Sequence, residues 1–147
     1  MSRNLLTAMV IISIAMLTLG CFWFFKFKPE LDRVTNSNIA YAIEYKIDEY
    51  HKAIGSYPTG DEVEILHQLR GNNPKNAHII KGDQGFLIDG NHLVDTWGNP
   101  LTITIDPSAE LPARVVSSGK NGIAGDDDDI DSSAAREILK QRGETAQ

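Results

Sequence analysis

Residues 39–54 read IAYAIEYKIDEYHKAI. Ile39, Ile43, Ile47, Tyr50 and Ile54 recur at spacings of 4, 4, 3 and 4, which puts them on one face of an α-helix. Glu44, Lys46, Asp48, Glu49 and Lys52 lie off that stripe. The stripe is core-packing material, and most helical stability in proteins comes from covering such a face. Upstream, Lys28-Pro29 marks a break or kink, because the residue before proline avoids the helical region. Downstream, Gly55 is a fitting helix stop with Pro58 beyond it.

The residues after this helix supply its cover. Thr59-Gly60-Asp61-Glu62 reads as a capping box for a short helix carrying Val63, Leu66 and Leu69, with Gly71 at its end. Asn72 to Asp83 contains Pro74, has no clear period and reads as loop. Three short strands follow: Phe86-Leu87-Ile88, the strictly alternating Leu101-Thr102-Ile103-Thr104-Ile105, and Arg114-Val115-Val116-Ser117. Gly98-Asn99-Pro100 and Asp106-Pro107 provide turns. A last helix over Ser132–Arg142 has only Ile138 and Leu139 as large apolar residues, so it reads as peripheral or frayed. A sheet this small needs something on one face, and the isoleucine stripe is the available cover. The expected fold class is α+β: a long helix packed on an antiparallel sheet of about three strands.

Residues Leu5 to Phe25 are almost wholly apolar and carry no charge. At helical rise they span about 31 Å, which matches a bilayer core. Phe22, Trp23, Phe24 and Phe25 sit where an interfacial aromatic belt belongs, with Lys26 and Lys28 as snorkelling cations. A cleaved signal peptide would have a shorter apolar core ending at a small-x-small site. A lipoprotein reading rests on Leu19-Gly20 before Cys21, but Thr18 fits that pattern poorly. The preferred expectation is an uncleaved single-pass anchor in contact with membrane lipid. Arg3 before the span, against Lys26, Lys28 and Arg33 after it, is a charge count favouring a cytoplasmic C-terminus. The chain divides into a tail and transmembrane helix over residues 1–28, one domain over 29–131, and a C-terminal helix or flexible tail over 132–147.

The 147 residues carry a formal net charge of -6. No basic patch with interleaved aromatics occurs, which argues against nucleic-acid binding. The single cysteine, Cys21, leaves the domain without a thiol. His51, His67, His78 and His92 are scattered, and no metalloprotease, CxxC or nucleophile-elbow motif appears, so the expectation is no enzyme.

Asp126, Asp127, Asp128, Asp129 and Asp131 put five carboxylates within six residues, directly after Gly119, Gly122 and Gly125. Hard cations such as calcium take about 6–8 oxygens from carboxylates, amides, carbonyls and water. Glycines let a backbone fold back so that such groups converge. The EF-hand spacing is missing, and only one imperfect copy of a nonapeptide repeat exists. On composition alone the loop suits either a calcium site or a solvated acidic turn.

Several motifs, in order, resemble the G-type major pseudopilins of bacterial type II secretion systems. These are the Tyr57-Pro58 after the helix, the turn Asp95-Thr96-Trp97-Gly98-Asn99-Pro100, and the loop from Ser117 to Ile130. The resemblance covers roughly Ile39 to Ile130. It implies a pilin-like fold and a periplasmic domain held at the bacterial inner membrane by one span. It also implies self-assembly, or assembly with other pseudopilins and secretion components. The loop then binds calcium through the side chains of Asn121, Asp128 and Asp129 and the backbone carbonyls of Ser118 and Asp126. Asn121 stands where the family has Asp, keeping the oxygen and losing a charge. In the resemblance Trp97 packs and Gly98 serves a tight turn. The family's basic leader and the Glu within its apolar helix have no counterpart in Met1-Ser2-Arg3-Asn4-Leu5-Leu6 or in the span. That departure supports a second reading, an anchored calcium-binding interaction module that does not polymerise.

Overall fold

The computed structural model describes residues 3–82 and 86–143, with side chains described from residue 9 onward. Met1 and Ser2, Asp83 at the end of the expected loop, and residues 144–147 of the expected tail lie outside the described residues. By contact the chain divides into Met1–Arg33 and Val34–Gln147.

In the first unit, α1 runs from Arg3 to Lys26. Every side chain from Met9 to Phe27 is exposed. A helix that is apolar all round with no covered face matches membrane composition, and α1 is long and apolar enough to cross one. Near its C-terminal end Lys26 lies 5.7 Å from the Phe22 ring centroid. The expected break or kink is confined to Phe27, before α2 (Lys28–Ile54): the helical bonds Phe27 N to Trp23 O at 2.9 Å and Leu31 N to Phe27 O at 3.0 Å run through it, and Lys28 pairs with Asp32 at 2.7 Å one turn on.

In the second unit the isoleucine stripe is buried as expected. Ile39, Ile43, Ile47 and Tyr50 of α2 join Ile65, Leu66 and Leu69 of α3 (Glu62–Leu69) in one core. Leu93, Leu101 and Val115 complete it from the sheet side. Each such aliphatic side chain contributes on the order of 1.5–3 kcal/mol on burial. Beyond Gly55, the Tyr57 ring stacks on His51 of α2, centroids 4.1 Å apart.

The cap of α3 is displaced from Thr59 to Asp61. The Asp61 side chain accepts from the Glu64 amide at 2.9 Å, and Glu64 returns a bond to the Asp61 amide at 3.1 Å. Gly60, at φ +102, is outside the helical region, so the helix cannot start before it.

Five short strands follow among the described residues. β1 (Ile88–Asp89) and β2 (His92–Leu93) form a hairpin, and Glu62 of α3 accepts from the Leu93 amide and meets His92 Nδ1 at 3.0 Å. The second sheet has three antiparallel strands in the order β3 (Thr102–Ile105), β4 (Ala113–Ser117) and β5 (Ile130–Asp131). The three-stranded sheet was expected, but its third strand is Ile130–Asp131; the Phe86–Ile88 segment contributes to the hairpin instead. In β4 the alternation is clean: Ala113, Val115 and Ser117 face inward.

Glu44, although off the isoleucine stripe, is not on an open face of α2: it is 7% exposed. Its carboxylate accepts from the Val115 amide of β4 at 3.0 Å and from the Arg136 guanidinium of α4 (Ser133–Arg142). Nor is α4 peripheral. Ala135 is buried, and its amide donates to Ser37 Oγ of α2 at 2.9 Å. Polar contacts to Ser37 and Glu44 tie the helix to α2, beside the half-buried Ile138 and Leu139.

Removing one partner of a buried ion pair leaves the other charge uncompensated, and that costs more than the pair contributes. Arg136 is itself partly exposed, so solvent softens the effect. Arg136→Ala is expected to destabilise the full chain in mild detergent by about 2 kcal/mol. Exposed Lys140→Ala should change little. Chemical unfolding followed by near-ultraviolet circular dichroism measures both, and equal stabilities would contradict the role given to Glu44.

Candidate metal centre

The acidic loop is closed by the β4–β5 pairing, in which Ser117 faces Ile130. Between those ends Gly119, Gly122 and Gly125 all adopt positive φ, at +69, +71 and +92. Gly119 has a second reason to lack a side chain. A Cβ there would overlap both the carboxylate and the carbonyl of Asp128. The sequence reading therefore located the hinges correctly: they fold the Ser118–Asn121 limb against the Asp126–Asp129 limb.

Within the loop, carboxylates bond back to amides. Asp128 Oδ2 accepts from the Asn121 amide at 3.3 Å, and Asp129 Oδ2 accepts from the Gly125 amide at 2.8 Å. The other oxygen of each, Asp128 Oδ1 and Asp129 Oδ1, is shielded from solvent and has no hydrogen-bond partner. A buried acceptor left unpaired is costly, more so when charged.

Asn121 Oδ1 accepts from the Ile123 amide at 2.7 Å, and its Nδ2 donates to Asp126 Oδ2 at 2.8 Å. An Asp at this position would have no proton for Asp126 and would repel it. The Asp126 side chain is further engaged with the Asp128 amide at 3.1 Å, while its carbonyl accepts from the Asp129 amide at 3.3 Å. The side-chain interaction between the neighbouring Asp126 and Asp128 carboxyls is the main cause that pushes Asp128 above and Asp126 below the ordinary carboxylate value. Two carboxyls so placed resist carrying two full charges.

Among the described residues, no three His, Cys, Asp or Glu side chains group as a metal site. The expected set asks for only two carboxylates, with one amide and two backbone carbonyls. Asp128, Asp129, Asn121 and Asp126 share one loop and interlocking bonds, whereas the Asp127 side chain makes none of these bonds and Asp131 belongs to β5.

Sequence reasoning missed the support behind the loop. Asp95, 1% exposed, accepts at Oδ1 from the Trp97 and Asn99 amides, both at 2.9 Å. At Oδ2 it accepts from Ser117 Oγ at 2.6 Å. The Asn99 side chain then donates to the Gly119 carbonyl at 2.8 Å. Gly98 has φ +86, as a tight turn requires. Asp at the head of a turn was the available signal; nothing local marked its partner in β4.

An amphipathic helix covered by small antiparallel sheets, with a glycine-hinged acidic loop at the last strand, is a pilin-like α+β architecture. Residues 32–133 match the family described as type II secretion system (T2SS), protein G, and the chain belongs to that family. No curated protein matches the chain. A crystal structure of the major pseudopilin from the type 2 secretion system of enterohaemorrhagic Escherichia coli is similar at a TM-score of 0.49 and 21% identity. That alignment covers 77% of this chain and 95% of the other.

Proposed function

We propose that the chain is a membrane-anchored structural subunit of a type II secretion or pilus-like assembly, with an acidic loop braced by calcium. The observation that carries the calcium reading is the pair of shielded, unpartnered oxygens, Asp128 Oδ1 and Asp129 Oδ1, in a chain of the protein G family. Asn121 Oδ1 and the Asp126 carbonyl each accept one hydrogen bond and retain a second lone pair. With the Ser118 carbonyl these make five protein oxygens of a hard-cation set, which water can complete. Bound calcium would supply the positive charge that offsets repulsion among these carboxylates. The residues themselves set the loop's geometry: Gly119 admits Asp128, and Asn121 holds Asp126 to one side. A neutral Asn121 lowers the ligand charge, so affinity should fall below that of an all-carboxylate site.

Membrane anchoring is supported by the exposed apolar surface of α1, by Trp23 and Lys26 in its last turn and by Lys28 just beyond it. Family membership supports a periplasmic domain at the bacterial inner membrane and association with like subunits. A structural part, not an enzyme, is the role this implies.

A ligand that binds only the folded state stabilises it by about 2.7 kcal/mol at a hundredfold excess over Kd. Millimolar calcium should therefore raise the Tm of the full chain in mild detergent by several degrees. Combining Asp128→Ala with Asp129→Ala should abolish that rise; an intact chain whose Tm ignores calcium would sink the calcium reading. Chemical crosslinking in native membranes checks assembly separately. Ladders of self-contacts or contacts to other subunits are expected, and a lone monomer would favour the anchored module that does not polymerise.

A further inference from the structure

The acidic loop is not self-supporting. Its first limb is gripped by a turn that lies elsewhere in the chain, at Asp95 to Asn99. Asn99 Nδ2 donates to the Gly119 carbonyl at 2.8 Å and lies 3.4 Å from Asp95 Oδ2. Asp95 Oδ2 also accepts from Ser117 Oγ, and that same Oγ accepts from the Gly119 amide at 3.2 Å. The peptide on each side of Gly119 is thus bonded to this turn, directly on one side and through Ser117 on the other. Asn99 reaches farther still: a Cβ on Gly122 would sit 3.1 Å from Asn99 Oδ1.

The turn is in turn fixed to α2. Asn36, 1% exposed, accepts from the Thr96 amide and donates to Thr96 Oγ1, both at 2.9 Å. Asp95 N donates to the Asn99 carbonyl at 2.9 Å, closing the turn on itself. A buried carboxylate with this many donors is held rigidly. Its rigidity passes to Asn99 and from there to the loop.

We propose that Asn99, oriented by buried Asp95, is a positioning residue for the cation site: it sets calcium affinity without touching the ion. The reasoning is geometric. The Ser118 carbonyl is an expected ligand, and it precedes the Gly119 peptide that Asn99 and Ser117 hold. Asp128 packs against Gly119, so the same grip fixes one carboxylate ligand relative to that carbonyl. Losing the grip lets the Ser118–Gly119 segment rotate, and the oxygens no longer converge. Partners that orient metal ligands from behind commonly control affinity by 10–100-fold. The inference rests on the calcium reading above.

The test titrates calcium chloride into the full detergent-solubilised chain by isothermal calorimetry, and measures Tm in EDTA and in calcium. Asn99→Ala is expected to raise Kd at least tenfold and to shrink the calcium-induced rise in Tm. Asn91→Ala, on an exposed turn residue, should leave both unchanged. A merely structural Asn99 would lower the EDTA Tm while Kd stayed within twofold of wild type, and that result overturns the proposal but spares the calcium reading. A wild-type chain that releases no heat and shows no shift overturns both. Asn99→Ser, one bond shorter and unable to reach Gly119, answers the same question with the same two outcomes if the alanine variant does not fold.

Discussion

The acidic run cannot spread. β4 and β5 pair Ser117 with Ile130, so the loop between them is pinned at both ends. Asp126, Asp128 and Asp129 are therefore forced toward one another within a few ångströms of glycine-hinged backbone. In an open tail the same charges would separate and be screened within about 8–10 Å at ordinary salt. Here they turn to amides and to each other, and two oxygens find no donor. That confinement sets the loop apart from an open acidic tail of the same composition.

The pinning itself depends on how the sheet meets the helix. Val115 buries its side chain in the core with the isoleucines of α2, and its amide donates to Glu44. One residue pair further along β4, Ser117 bonds to Asp95, whose turn is tied back to Asn36. α2 thus touches both the outer and the loop-proximal ends of the domain through polar contacts that flank its apolar stripe. α4, which follows β5 directly, closes on the same helix through Ser37 and Arg136. The segments before and after the acidic run are consequently fixed to one element, while the run between them carries the charge.

Much of this was readable from residue order. The isoleucine period defined α2 and its end at Ile54, and strict alternation defined β3. The glycine spacing located the hinges of the loop. What was not readable has a common physical cause. β2 and β5 are two residues long, too short for any period. Nothing beside Glu44 marked it as buried, because its partner lies 92 residues later, and Ser117 answers Asp95 from 22 residues away. Short-range patterns report which side chains share a face. They do not report which charge a distant strand or helix will neutralise. Asn121 is the instructive case: sequence comparison registers a lost ligand charge, whereas the fold shows its amide proton occupied with Asp126.

The proposal that the oxygens around Asp128 and Asp129 hold calcium draws on membership of the protein G family and on the geometry of the loop. Crystals of the full chain grown in millimolar calcium, measured for anomalous scattering, address it directly. The account predicts a single strong peak within about 2.3–2.6 Å of Asp128 Oδ1 and Asp129 Oδ1, with Asn121 Oδ1 and the Ser118 and Asp126 carbonyls around it. A well-ordered loop with no peak, or with Asp128 and Asp129 turned out to solvent, would contradict it.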